Sequence, residues 1–130
     1  MLVTFELQDR REHWVRIVAR RDADAYAELV SEDVVWFPPG QPPVIGRTAF
    51  EDWVRPFFES FEYQFSIEPI VIVEAETHAC ERSRFRSTLR PAGEGSDSEM
   101  QHEGTCVIFW RRDPDGIWRI ERYVDESELR

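Results

Sequence analysis

The sequence predicts an α+β domain, with three N-terminal helices packed on one face of a curved antiparallel sheet. Two observations carry this expectation. Apolar residues recur at helical spacing through the first half of the chain, and from Glu62 onward the spacing drops to two. A chain of 130 residues with 42% hydrophobic residues, among them five Trp, nine Phe and three Tyr, also suffices for one real core. Residues 1–130 are therefore read as a single domain.

The first helix runs from about Leu7 to Arg20, because Trp14, Ile17 and Val18 share a face while Arg10, Arg11, Arg16 and Arg20 lie elsewhere. Asp22 reads as an N-cap for a shorter helix whose apolar side is Ala25, Tyr26, Leu29 and Val30, ended by Ser31-Glu32-Asp33. Val34 to Phe37 is β-branched and aromatic, hence a short strand, stopped by the Pro38 to Pro43 loop. Thr48 and Glu51 have capping-box spacing, and Phe50, Trp53, Val54, Phe57, Phe58 and Phe61 give the broad apolar face of a third helix. Pro56 lies inside it and predicts a kink near Val54 to Pro56.

Strand periodicity begins with Tyr63, Phe65 and Ile67 and continues in shifted parity through Ile70 and Ile72, which predicts a β-bulge at Pro69. Long strands are expected over His78 to Leu89, Gln101 to Arg112 and Ile117 to Asp125. Asp113-Pro114-Asp115-Gly116 is a tight hairpin turn, with Pro presetting φ and Gly accepting φ > 0. Pro91 to Glu99 reads as a longer polar loop.

Charge and composition exclude several functions. A formal charge of −10 opposes a nucleic-acid partner, since that affinity comes largely from cationic side chains replacing counterions. All 16 basic residues are Arg, so no lysine can form a Schiff base. No apolar run approaches the roughly 20 residues that span a bilayer, and the N-terminus is unlike a signal peptide, so no membrane partner and a cytoplasmic location are expected. Cys80 and Cys106 are read as reduced thiols in or near the sheet. His13, His78 and His102 fall on separate segments without HxH or HxxxH spacing, so no metal site is expected.

The order of these elements, with Arg21-Asp22-Ala23-Asp24-Ala25, Trp36-Phe37-Pro38-Pro39-Gly40, Val44-Ile45-Gly46-Arg47 and Arg112-Asp113-Pro114-Asp115-Gly116-Ile117-Trp118, resembles the SnoaL-like and ketosteroid isomerase-like branch of the nuclear transport factor 2-like superfamily. The resemblance implies a cone-shaped fold and a homodimer built on the open sheet face. It also implies where an isomerase would keep its carboxylate base and its two oxyanion donors, a tyrosine and a protonated aspartic acid. Counting from Asp22 puts Trp14 in the tyrosine's place. The base falls on Phe37, or on Pro38 if a one-residue gap lies differently, and the aspartic acid on Ile108. All three groups are replaced, and steroid isomerisation is not expected.

In such a cone the pocket opens between sheet and helices, with Trp14, Tyr26, Trp36, Trp53, Phe57, Ile108 and Trp110 as its expected lining. Alternation places Glu81 with Ala79, Ser83 and Phe85, facing inward, and Arg82, Arg84 and Arg86 outward. An inward carboxylate in an aromatic cavity can serve as a general acid or base, and His102 has the parity to join it. Tyr123 alternates with Glu121 and Asp125 towards the cavity mouth, while Trp118 and Ile120 have the opposite parity; a bulge after Gly116 inverts this assignment. Two functions follow. One is a pocket protein of unassigned activity for a small hydrophobic or aromatic molecule; the other is a cofactor-free isomerase, dehydratase or cyclase using Glu81 with His102 or Tyr123.

Overall fold

The computed structural model describes residues 5–93 and 98–126. Helix α1 (Phe5–Arg20) buries Leu7, Arg11, Trp14, Ile17 and Val18, a stripe that recurs every three to four residues. Arg21 turns the chain at a left-handed φ of 55°. Helix α2 (Ala23–Leu29) then starts on Asp22, whose side chain accepts from the Ala25 amide at 3.0 Å as the sequence predicts.

The second helix ends one residue earlier than its apolar pattern suggests. Strand β1 (Val30–Phe37) already begins at Val30, because Val30 and Val34 fill the core as strand residues. A two-residue strand, β2 (Val44–Ile45), precedes helix α3 (Arg47–Ser60). The capping box is not used: the N-cap is Gly46, without a side-chain cap, at φ 93° and ψ 153°. The helix runs unbroken through Pro56, and Phe61, expected as its last apolar contact, is instead the first residue of the next strand.

Strands β3 (Phe61–Glu74), β4 (His78–Pro91), β5 (Met100–Arg112) and β6 (Trp118–Asp125) form the antiparallel meander. The whole sheet is six-stranded, open and curved, in the order β2-β1-β6-β5-β4-β3. It is mixed, because β1 joins β6 in parallel. The expected bulge is present: Pro69 pairs with Ser83 and Val71 with Arg82, leaving Ile70 unpaired. The β5–β6 turn closes with the Gly116 amide on the Asp113 carbonyl at 2.8 Å and Gly116 at φ 83°.

The last strand corrects the expected parity. A second bulge falls between Phe109/Arg122 and Trp110/Ile120, so Glu121 is the extra residue. Trp118 and Ile120 face the core before the bulge, and Tyr123 and Asp125 face it after, so all four are buried. Their shared burial puts a phenol and a carboxylate under the helices.

The polar loop over Pro91 to Glu99 lies partly outside the described residues. No described helix is long and apolar enough to cross a membrane. Both cysteines are free, Cys80 exposed on β4 and Cys106 buried on β5.

Candidate active site

A cavity of about 230 Å³ lies between the helices and one end of the sheet. Of the expected lining, Trp14, Tyr26, Trp36, Trp53 and Phe57 are there. They are joined by residues the sequence did not single out, including Phe58, Tyr63, Phe65, Phe85 and Leu89, and by Pro38, Pro39 and Gln41 from the loop after β1. The alternation of Tyr63 and Phe65 on β3 was the available signal for two of these. Gln41 carries no such signal, since a loop residue reaches a cavity only through tertiary placement; here the Trp53 indole N–H donates to its Oε1 at 3.0 Å.

Ile108 and Trp110 do not line the cavity; both are fully buried, Ile108 in register with Tyr123 on β6. Glu81 lies beside them on β4. It pairs across the ladder with Ile108, whereas His102 pairs with Ser87, six residues along β4. At the rise of a β-strand that separation is about 20 Å, too far for Glu81 and His102 to act on one proton.

Glu81 is nonetheless inward and fully buried, as alternation predicts. Arg11 from α1 forks onto it, with Nη2 2.7 Å from Oε1 and Nε 3.1 Å from Oε2. The Trp110 indole donates to Oε1 at 3.2 Å, and the Ser83 hydroxyl donates to Oε2. Both carboxylate oxygens are thus committed to a buried network that ties α1 to the sheet.

His102 and Tyr123 do line the cavity. His102 stands half-exposed at the mouth, its ring 5.1 Å from that of Phe85, and its Nε2 is 2.7 Å from Oδ2 of Asp125. Asp125 also lines the cavity and is 3% exposed. A carboxylate only accepts, so Nε2 carries the proton in this contact and a neutral ring presents its lone pair on Nδ1. The dyad is formed by β5 and β6 on the inward side, after the Glu121 bulge has turned Asp125 in.

Tyr123 stacks on Trp36 with ring centroids 4.2 Å apart and an interplanar angle of 13°. Burial holds its phenol well above the usual tyrosine range, with the Cys106 thiol and Asp125 adding to the effect. Tyr26 is raised for the same reason, burial first, and its oxygen accepts from the Trp14 indole at 2.9 Å. Two phenols therefore stay protonated on the cavity wall across the neutral range. Trp14 acts as a donor to Tyr26.

A larger depression, about 660 Å³, crosses strands β3, β4 and β5 and is lined by Glu68, Arg84, Arg86 and Glu103 among others. It follows the outward arginine row, where Arg82 pairs with Glu126 at 2.7 Å and Arg86 with Glu103 at 2.9 Å. Those two ion pairs lie on the solvated outer face of the sheet. Among the described residues no group of three or more His, Cys, Asp or Glu is placed to hold a metal ion.

A family model for the SnoaL-like domain matches residues 12–122. Among solved structures, a conserved protein from Planctomyces limnophilus superposes with a TM-score of 0.84 at 21% identity, covering 93% of this chain and 92% of that one. A ketosteroid isomerase-like protein from Erwinia carotovora atroseptica gives 0.77 at 19% identity, covering 91% and 90%. A nuclear transport factor 2-like superfamily protein from Salmonella enterica serovar Typhimurium gives 0.78 at 15% identity, covering 92% and 86%. At these identities the likeness concerns the fold. No curated protein matches the chain.

Proposed function

The chain belongs to the SnoaL-like domain family, and from that premise we propose a cofactor-free enzyme that moves a proton on a small, largely apolar molecule, with His102 as the proton carrier. The observation that carries this reading is the His102–Asp125 contact of 2.7 Å at the mouth of an aromatic-lined cavity. Buried Asp125 orients the imidazole and compensates the charge it gains on taking a proton, while Nδ1 is left to do so. The Tyr123 and Tyr26 hydroxyls supply neutral donors deeper in the cavity. Isomerisation, dehydration and cyclisation all fit such a site; Glu81, committed to Arg11, is not part of it.

For scale, an engineered apolar cavity of about 150 Å³ holds benzene, so a cavity of about 230 Å³ suits a single substituted ring. A second reading, a non-catalytic pocket protein for a small hydrophobic or aromatic molecule, is favoured by how heavily rings outnumber polar groups in the lining.

We also propose a homodimer through the outer sheet face. The ladder aligns Val73, Cys80 and Phe109 in one row, and Val73 is 67% exposed and Phe109 39%. Such a row is a contiguous apolar surface across three strands.

Native mass spectrometry of the protein purified from its own host tests ligand and assembly together. A small molecule retained by wild type, and converted by wild type but not by His102→Gln, supports the enzyme. A molecule retained by both and changed by neither supports the binding protein.

A further inference from the structure

We propose that this cavity selects a small organic cation, an ammonium group on an apolar frame of about one ring, over both its neutral isostere and an anion; the inference rests on reading the cavity as the ligand site. The rings of the wall stand at steep angles to one another: Trp14 to Trp36 at 77°, Tyr26 to Trp36 at 89°, Trp14 to Tyr123 at 86°. These rings, with Trp53, Phe57 and Phe65, make the wall of the cavity. The face of an aromatic ring carries negative quadrupole density and attracts a cation, and a quaternary ammonium most of all, because it sheds water readily.

The formal charges point the same way. Asp125 is the buried carboxylate at the cavity, with its side chain 4% exposed, and among the described lining residues there is neither Arg nor Lys. His102 is the one group there able to become positive, and it lies on Asp125, so the pair is neutral at most. An anionic ligand would meet a carboxylate and aromatic rings in a low-dielectric space with no Arg or Lys among the described lining residues. Around the site the whole protein carries a formal charge of −10, which raises the local concentration of cations.

The test uses three probes of one size: phenyltrimethylammonium, its neutral isostere tert-butylbenzene, and benzoate. Each is titrated into the protein, followed by tryptophan fluorescence and calorimetry. Phenyltrimethylammonium is expected to bind at least tenfold more tightly than tert-butylbenzene, with no saturation by benzoate. Asp125→Asn narrows the ratio, and Trp53→Leu, at a half-buried position, does the same should the first variant fail to fold. Equal or tighter binding of tert-butylbenzene, or saturable binding of benzoate, overturns the cation preference and leaves the cavity reading intact. Failure of all three probes to bind overturns both.

Discussion

Arg11 and Glu81 show what one buried ion pair does for this fold. Each charge loses water on burial, and the fork of contacts down to 2.7 Å offsets that loss only while both partners are present. Glu81→Gln leaves Arg11 uncompensated at 7% exposure and is expected to cost about 3 kcal/mol. Urea unfolding should show a lower midpoint with an unchanged m-value, and ligand affinity should not move. A second expectation concerns alkaline pH. Burial pushes the Cys106 thiol from 9.0 up to about 12 and raises the Tyr26 and Tyr123 phenols above 10.0. The folded state then holds these protons more tightly than the unfolded chain does. Their contribution is complete below the unfolded values and is lost as pH rises towards the folded ones. Stability should start to fall near pH 9, by about 1.4 kcal/mol per pH unit for each group past its unfolded value. Cys106→Ala should delay the onset towards pH 10 in denaturation measured across that range; an unchanged onset would show that the thiol is not the first group to titrate.

At the level of elements, the start of α3 depends on one glycine. Gly46 sits at φ 93° and ψ 153°, a region closed to side chains, although a Cβ would meet nothing nearer than the Glu32 carbonyl at 3.9 Å. Gly46→Ala therefore strains the backbone without a clash and is expected to cost about 1–3 kcal/mol, read as a lowered unfolding midpoint. Thr48 and Glu51 look like a capping box in sequence because spacing is local, but the true cap depends on the Gly46 amide reaching the Val34 carbonyl at 2.7 Å, a tertiary contact. The same distinction separates what was legible from what was not. Helical and strand periods, the Asp22 cap, the Pro69 bulge and the Asp113–Gly116 turn are written within a few residues of one another. The Glu121 bulge and the parallel seat of β1 are pairings between distant strands, and no local pattern encodes them. Parity puts Asp125 near the mouth, yet its contact with His102 needs the β5–β6 register, and the separation of Glu81 from His102 needs the β4–β5 register.

Across the whole molecule, the curved sheet separates two surfaces with different work. Its inner face and the helices enclose the aromatic cavity, and its outer face carries the arginine row and the apolar row of Val73, Cys80 and Phe109. If that outer row builds the dimer, light scattering should give twice the chain mass over a range of concentrations, and Val73→Glu with Phe109→Glu should give a monomer with unaltered circular dichroism. A wild-type chain that stays monomeric throughout would end the dimer proposal. At the site, we propose that His102 on Asp125, and not Glu81, transfers the proton. Incubating wild type, His102→Gln and folded Glu81→Gln with a metabolite extract of the host in D₂O, and following deuterium uptake or loss of water by mass spectrometry, tests it most directly. The account predicts a molecule changed by wild type and by Glu81→Gln and left unchanged by His102→Gln. Conversion that survives in His102→Gln, or disappears in a Glu81→Gln protein that remains folded, would contradict it.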